Sequence, residues 1–227
     1  MSFRSSTTQV RLIELFTSEG CSSCPPAEKW LSQLKASPDL WTKVVPVAYH
    51  VDYWDHLGWR DRFAKKEFTD RQRRYASRWG IDSIYTPGFV LDGREWRDGP
   101  NARALQGSGG PVGVLEVTIS GDGSASAKFS RATNGAANAY ALEVAWLGTD
   151  LDSDVKRGEN SGRQLRHDFV VLQLGSGEFV KNGENLTATI PASGGLGPDK
   201  PTAIAAWVVS KKDGQPIQAT GGWLRQP

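Results

Sequence analysis

The chain has 227 residues, 38% of them hydrophobic and 23% charged, so it can bury a sizeable core as one large domain or two small ones. Its formal charge of +2 is too small to argue for a nucleic-acid or membrane-surface partner. No stretch approaches the ~18 consecutive apolar residues that a membrane helix needs, and residues 1–10 lack the apolar core of a signal peptide. We therefore expect a soluble chain with no membrane partner.

The first predicted elements enclose the only two cysteines of the chain. Residues 10–16, VRLIELF, are rich in branched and aromatic side chains, which predicts a strand. Cys21 and Cys24 follow, and the next segment, PPAEKWLSQLKA, carries apolar side chains at helical spacing. Its two prolines fit the first turn of a helix, where their missing N–H groups are not needed. The sequence thus predicts strand, C-x-x-C and helix in succession.

The following segments continue an alternating pattern of strands and helices. The segment KVVPVAYHVDYW indicates a second strand with Pro46 at a bulge or edge, and residues 59–79 are helix-prone up to Gly80. The segment IYTPGFVLDGREW predicts a proline-preceded hairpin that turns at Gly93, and NARALQG a short last helix. The glycine-rich GSGGPVG then indicates a boundary, so we expect a first domain over residues 8–110.

The second half of the chain has a different pattern of apolar and turn residues. Short alternating runs such as GVLEVTIS, ASAKFSRA and AIAAWVVSK are separated by Gly, Asn, Asp and Ser turns. This spacing predicts an antiparallel all-β domain, a sandwich or barrel, over residues 111–227. The predicted fold class is therefore an α/β domain of order βαβαββα followed by an all-β domain.

The position of the cysteines predicts reactive thiols. A C-x-x-C at a helix start places the first sulfur where unpaired N–H groups and the positive end of the helix dipole converge, which stabilises a thiolate. Cys21 would then attack a disulfide, and Cys24 would resolve the mixed disulfide. Zinc or copper binding would need more ligands, since the chain has only three histidines. Two buried cysteines without chemistry are the remaining alternative.

These residues resemble the thioredoxin superfamily over roughly residues 8–110. Thr86-Pro87 looks like the cis-proline signature of that superfamily, which would expose the Thr86 backbone beside the dithiol to an extended partner chain. The alternative is an ordinary trans proline that opens a strand. The resemblance also implies a buried acid on the first strand that moves the proton of the second cysteine. Glu14 is the candidate, although it could instead face solvent.

A closer resemblance spans nearly the whole chain. The segments ELFTSEGCSSCPPAE, HVDYWDHLGW, RGENSG and HDFVV are similar to the bacterial family named "domain of unknown function 1223". This resemblance implies a thioredoxin-like fold with an appended β domain and no established substrate. Members are commonly predicted to be exported, which favours a periplasmic location, whereas the missing leader leaves a cytoplasmic one open.

Two further segments are candidates for partner binding. The segment after the second strand carries Tyr53, Trp54 and Trp59, residue types that anchor interfaces, although they could equally pack on the β domain. His50 and Asp52 in the same segment could form an acid–base pair. A glycine-rich loop carries Arg157, Glu159 and Asn160, and we expect it to fold over the dithiol and limit access.

The sequence as a whole favours a thiol–disulfide oxidoreductase or isomerase. Its partners would be disulfide-bearing proteins or peptides, and the chemistry needs no cofactor beyond Cys21 and Cys24, with Thr86 and Pro87 shaping the groove. A basic helix around residues 60–78 is more typical of a solvated face than of a nucleic-acid site. The alternative function is a non-catalytic binding module, a redox sensor or a metal-delivery protein.

Overall fold

The computed structural model describes residues 1–97, 105, 110–132, 139–192 and 199–225. Two α-helices and fifteen strands are described within these ranges. They are β1 (Ser2–Arg4), β2 (Arg11–Thr17), α1 (Pro25–Gln33), β3 (Val44–His50), α2 (Lys66–Trp79), β4 (Gly88–Leu91), β5 (Arg94–Glu95), β6 (Gly113–Ile119), β7 (Ala125–Arg131), β8 (Tyr140–Gly148), β9 (Leu151–Asp154), β10 (Gln164–His167), β11 (Val170–Glu178), β12 (Val180–Asn182), β13 (Asn185–Ile190), β14 (Ala203–Ser210) and β15 (Pro216–Trp223).

A mixed eight-stranded sheet runs through both halves of the chain. Its strand order is β15-β14-β8-β11-β3-β2-β4-β5. Strand β3 is parallel to β2 and to β11, and the other neighbours are antiparallel. Because β3 is parallel to both neighbours, the ends of β2 and β3 lie at the same edge of the sheet, where the cysteines follow.

A second, antiparallel sheet packs on part of the first. Its order is β1-β6-β7-β13-β12, so the N-terminal strand pairs with the second half of the chain. Alternate residues of β8 and β14 serve two cores: Val144 and Ala206 face the second sheet, whereas Ala145 and Trp207 belong to the core around β2 and β3. Both strands are thus buried on both faces.

The two α-helices cover opposite faces of the eight-stranded sheet. Thr17, at the end of β2, contacts Glu28 of α1, whereas Glu14 of the same strand contacts Arg71 of α2. Side chains alternate along a strand, so these two contacts define an α1 face and an α2 face. Strand β2 therefore carries different chemistry on its two sides.

The predicted fold class is wrong. The described structure is mostly strand, and it does not form a thioredoxin-like βαβαββα domain followed by a separate all-β domain. Strand β11 inserts beside β3, and β8, β14 and β15 extend the same sheet. The segment AIAAWVVS, assigned from the sequence to a separate all-β domain, is almost wholly buried because it lies inside this sheet.

Several local predictions can be compared with the described elements. Helix α1 starts at Pro25, Gly80 ends α2 with a φ of 68°, and the hairpin β4–β5 turns at Asp92 and Gly93 with φ of 48° and 78°. Pro46 does not mark an edge, since β3 lies in the centre of the sheet. Strand β11 pairs with β3 only beside Ala48, so the missing N–H of Pro46 is tolerated.

Two further features bear on the sequence predictions. Helix α2 begins seven residues later than the predicted start at Trp59. The short helix predicted from NARALQG lies, apart from residue 105, outside the described residues. Among the described helices, none has the length and apolar character required to cross a membrane.

Candidate active site

The dithiol lies between the end of β2 and the start of α1. Cys24 is the N-cap of α1, and Pro25 and Pro26 occupy the first two helical positions, as the sequence predicts. The Cys24 N–H donates to the Cys21 carbonyl at 3.2 Å, which closes the turn. Both cysteines are free thiols, with 1% of Cys21 and none of Cys24 exposed. The helix start thus holds two adjacent, reduced and buried sulfur atoms.

The Cys21 sulfur is surrounded by hydrogen-bond partners. A hydrogen bond from the Cys24 thiol is the largest cause that lowers the pKa of Cys21 from 9.0 to about 6, and it outweighs burial, which raises it. The hydroxyl of Ser23 lies 3.3 Å from the sulfur. When Cys21 is in its thiol form, it donates to the Thr86 carbonyl at 3.8 Å. Cys21 is therefore a thiolate at neutral pH.

Cys24 has the opposite character. Burial, followed by the hydrogen bond and the negative charge of Cys21, raises the pKa of Cys24. The hydroxyl of Thr17 also hydrogen-bonds this thiol. The pair thus combines one thiolate with one thiol, which is the division of roles that disulfide exchange requires.

The segment at Thr86 and Pro87 forms one wall of the site. The bond between these residues is cis, as the sequence predicts. Trp54 Nε1 donates to Thr86 Oγ1 at 2.8 Å, and Gln72 Nε2 donates to the Tyr85 carbonyl at 2.6 Å. Thr86 and Pro87 are partly exposed, and Tyr85 is exposed, so the backbone next to Cys21 is accessible from outside.

The glycine-rich loop at residues 155–163 contacts the active-site turn directly. Asn160 is fully buried, and its Nδ2 donates to the carbonyls of Glu19 and Cys21, both at 2.9 Å. Glu159 Oε2 accepts the N–H of Ser22 at 2.9 Å. Arg157, the third residue singled out from this loop, is exposed. The loop thus fastens the turn that carries the dithiol.

The aromatic segment also meets this turn. Residues Asp52–Leu57 form a 3₁₀ helix, in which the Tyr53 hydroxyl donates to Gln72 at 3.3 Å. Trp59 Nε1 donates to Glu19 Oε2 at 2.6 Å. Together with the Trp54 contact to Thr86, these bonds bring the three aromatic side chains around the dithiol and the cis-proline segment. Whether they bind a partner stays a prediction.

The structure does not bring Glu14 to the dithiol. Its carboxylate lies on the α2 face, 2.7 Å from Arg71 Nε and 2.5 Å from the Tyr75 hydroxyl, whereas Thr17, beside Cys24, lies on the α1 face. Burial raises the pKa of Glu14, while Arg71 and Tyr75 oppose this shift. Strand alternation separates the two faces, so Glu14 belongs to a structural ion network that also includes Glu143.

A cluster of histidines and carboxylates lies on the α1 face beside the dithiol. His50, at the end of β3, places Nδ1 2.7 Å from Asp61 Oδ2, so Asp61 and not Asp52 is its carboxylate partner. Asp61 also accepts the N–H groups of Glu19 and Phe63, each at 2.9 Å. Burial raises the pKa of Asp61, but attraction to His50 and these hydrogen bonds lower it overall.

His167, at the end of β10, is the second histidine of this cluster. Its Nδ1 forms a short contact with Glu28 Oε2, and Glu28 Oε1 accepts the Thr17 hydroxyl at 2.5 Å. Its Nε2 lies 3.4 Å from Glu19 Oε1. Burial disfavours the charge of both partners, yet their attraction raises the pKa of His167 to about 10 and lowers that of Glu28.

Sequence reasoning missed most of this cluster. Glu28, Asp61 and Thr17 were not singled out, and no local pattern marks Glu19 as fully buried. A residue pair such as Glu28 and His167 is separated by 139 positions, and no local pattern connects the two. The signal that could have been used is a carboxylate one turn after Cys24. Glu28, His50 and His167 are also the described residues that could hold a metal ion.

Two solved structures are similar to this chain over nearly its whole length. A crystal structure of protein AGR_C_4864 from Agrobacterium tumefaciens is similar with 29% identity and a TM-score of 0.66, over 97% of this chain and 96% of that one. HBP35 of Porphyromonas gingivalis has a similar fold, with 15% identity and a TM-score of 0.68, over 98% of this chain and 78% of that one.

A search of curated proteins finds no match. The family model described as "Protein of unknown function (DUF1223)" matches residues 12–209, which is most of the chain. The motifs around the dithiol, the aromatic segment and the glycine-rich loop all fall within this range, so the chain belongs to the DUF1223 family.

Proposed function

We propose that the protein is a thiol–disulfide oxidoreductase or isomerase that acts on protein or peptide disulfides. The observation that carries this proposal is the Cys21 sulfur, which receives a hydrogen bond from Cys24 and lies 3.8 Å from the Thr86 carbonyl. A thiolate at a helix start beside an accessible backbone segment is the arrangement that disulfide exchange needs. The likeness to the thioredoxin superfamily is thus proposed for the active site alone.

In the first step, the Cys21 thiolate attacks one sulfur of a substrate disulfide. A bond between Cys21 Sγ and that sulfur forms as the substrate S–S bond breaks, and the electron pair leaves with the second substrate sulfur as a thiolate. A low thiol pKa supports this step because the reactive thiolate is present at neutral pH.

In the second step, the Cys24 sulfur attacks Cys21 Sγ in the mixed disulfide. The Cys21–Cys24 bond forms, the bond to the substrate breaks, and the departing substrate sulfur takes the proton that Cys24 loses. The protein dithiol is oxidised by two electrons, and the substrate disulfide is reduced to one thiol and one thiolate, which takes its proton from water. The reverse sequence oxidises a substrate dithiol, and the reduction potential decides the direction.

Substrate binding is proposed at the partly exposed backbone of Thr86. An extended peptide can add to this segment through main-chain hydrogen bonds, beside Tyr53 and Trp54. Because only 1% of Cys21 is exposed, a peptide reaches the sulfur only if a neighbouring segment moves. The loop at residues 155–163, fastened to Cys21 by Asn160, is the segment expected to move.

The test is catalysis of disulfide exchange in a fluorogenic peptide disulfide with glutathione as the reductant. We expect turnover in the wild-type protein and none in Cys21→Ser, whereas Cys24→Ser should accumulate a mixed disulfide with the mass of protein plus peptide. Retention of turnover in Cys21→Ser would refute the proposal. Redox titration should give a two-electron transition between about −270 and −120 mV, and its position indicates reductant or oxidant.

The burial of both sulfur atoms favours a second candidate, a redox sensor or binding module. In that case the dithiol would oxidise once and alter partner binding, without turnover. The same assay separates the two functions. A reversible redox transition with no catalysed exchange, and partner binding that survives in Cys21→Ser, would support the sensor over the enzyme.

A further inference from the structure

The histidines and carboxylates on the α1 face take no part in the steps of disulfide exchange described above. Glu28 of α1, His50 of β3 and His167 of β10 each offer one ligand atom, and these atoms lie within 4.8 Å of one another. The three residues are 7%, 1% and 1% exposed. We propose that they bind a divalent transition-metal ion, with Zn²⁺ as the first candidate. This inference goes beyond the proposed function and does not depend on it.

The first argument is the orientation of His50. Asp61 Oδ2 lies 2.7 Å from its Nδ1, and the same carboxylate accepts two backbone N–H groups. A carboxylate that only accepts hydrogen bonds requires the proton of the imidazole on Nδ1. Nδ1 of His50 is therefore committed to Asp61, and its Nε2 is buried and has no hydrogen-bond partner. Metal-ligating imidazoles are typically held in this way, by a carboxylate on the other ring nitrogen.

His167 repeats the arrangement. Its Nδ1 contacts Glu28, while its Nε2 has no hydrogen-bond partner and faces Glu19 Oε1, a buried oxygen that also lacks one. The two atoms are 3.4 Å apart, and the imidazole ring is 5.0 Å from that of His50. The imidazole of His167 thus lies beside that of His50, with the Glu19 carboxylate next to its Nε2.

The charge of the cluster supports a cation. Three carboxylates of the cluster are buried, those of Glu19, Glu28 and Asp61. The groups described as pairing with them are the two histidines, a hydroxyl, an indole N–H and backbone N–H groups. Within the part of the chain that the structure describes, no lysine or arginine pairs with any of the three carboxylates. Three buried carboxylates require more compensating charge than one imidazolium supplies, and a divalent ion supplies two units at one point.

The ligand types define the metal class. Two imidazoles and a carboxylate suit Zn²⁺ and its neighbours in the first transition row, whereas Mg²⁺ and Ca²⁺ prefer sites made of oxygen atoms alone. The contact from Asp61 to His50 is a carboxylate–histidine pair that orients the ring, as in known zinc sites. The spacing of His50 and His56 in the sequence does not predict this site, because its second histidine, His167, comes from a distant strand.

The structure also provides an entry path. A cavity of about 610 Å³ lies between α1 and β10, and Glu28 forms part of its wall together with Ser32, Asp150 and Asp168. Glu28 is thus the member of the cluster that borders open space. The wall also holds the basic residues Lys29, Lys35, Arg163 and Arg166, so its charge is mixed.

The experiment measures Zn²⁺ binding to chelator-treated full-length protein by competition with a chromophoric chelator, with metal content determined by mass spectrometry. We expect one ion per chain. His167→Ala should weaken binding more than about 100-fold, because loss of a direct ligand exceeds the 10–100-fold cost of losing an outer-shell partner. His56→Ala, which changes the exposed third histidine, is the matched control and should bind as the wild type does.

The Cys21→Ser/Cys24→Ser double variant locates the ion. We expect it to bind Zn²⁺ as tightly as the wild type and to give a Co²⁺ absorption spectrum without thiolate charge-transfer bands. Loss of binding in this variant would place the metal on the dithiol and overturn the proposal, as would the absence of stoichiometric Zn²⁺ binding by the wild type. These two samples need no change in the cluster, so they remain decisive if His167→Ala does not fold.

Discussion

The reactivity of Cys21 is a property of single hydrogen bonds around one sulfur atom. Because its pKa is lowered from 9.0 to about 6, the thiolate forms as the pH rises through about 6. We expect the rate of alkylation by iodoacetamide to be half-maximal near that pH and constant above about pH 8. Rates measured across pH with mass-spectrometric assignment of Cys21 test this expectation.

Removal of Cys24 provides the matching control. Its thiol donates the hydrogen bond that most lowers the pKa of Cys21, so Cys24→Ala should move the midpoint of alkylation upward. The lowered pKa of Cys21 in the wild type also makes the free energy of unfolding depend on pH. Its contribution to that free energy is present above the ordinary pKa of 9.0 and is lost as the pH falls through about 6. A wild-type midpoint above pH 8 would contradict the assignment of Cys21 as the thiolate.

The buried ion network on the α2 face predicts a different residue-scale effect. Arg71 is nearly buried and pairs with Glu14 at 2.7 Å and with Glu143 at 2.9 Å. Arg71→Met leaves Glu14 unpaired in the interior, which should lower the free energy of unfolding by about 3–5 kcal/mol. Urea denaturation measures this loss, and exposed Arg74→Met should change the free energy of unfolding by less than about 0.5 kcal/mol.

The same network tests whether Glu14 acts on the dithiol. Since its contacts lie on the opposite face of β2 from Thr17, Glu14→Gln should reduce stability but leave the alkylation midpoint of Cys21 unchanged. A shift of that midpoint with the fold intact would restore a catalytic role for Glu14. Near-UV circular dichroism establishes whether the fold is intact.

At the scale of elements, we expect the loop at residues 155–163 to limit access to the thiolate. Asn160 holds this loop to the carbonyls of Glu19 and Cys21, so Asn160→Ala should loosen it. We expect the rate with a bulky maleimide to rise several-fold relative to the rate with iodoacetamide. Arg157→Ala, an exposed change in the same loop, should leave this ratio unchanged, and an unchanged ratio in Asn160→Ala would exclude the loop as a barrier.

Local elements were predictable from the sequence where their signals are local. Strand β2, the two prolines that start α1, and Gly80 at the end of α2 each depend on neighbouring residues alone. The face on which Glu14 lies was not predictable, because side chains alternate along a strand and the sequence does not fix the position of Glu14 relative to the turn before Cys21. The pairing of Glu28 with His167 was not predictable either, since it requires the position of β10 against α1.

At the scale of the whole molecule, the error in fold class has a physical origin. The strands β8, β11 and β14 were read as belonging to a self-contained all-β domain, because alternation and turn spacing report local structure and not the neighbours of a strand. The signal of a central strand in AIAAWVVS is its near-continuous run of apolar residues, which fits a sheet covered on both faces. The family resemblance was confirmed although the fold derived from it was not.

The shared sheet leads to the last prediction, that residues 1–110 do not fold alone. Without residues 111–227, β3 loses its neighbour β11 and becomes an edge, β1 loses its partner β6, and the core around β2 loses Ala145, Ala205 and Trp207. An exposed edge and an uncovered core favour aggregation over folding. We therefore expect the fragment to show no cooperative urea transition and no native near-UV circular dichroism. Mixed with a fragment of residues 111–227, it should regain both, whereas cooperative unfolding of residues 1–110 alone would show an independent first domain.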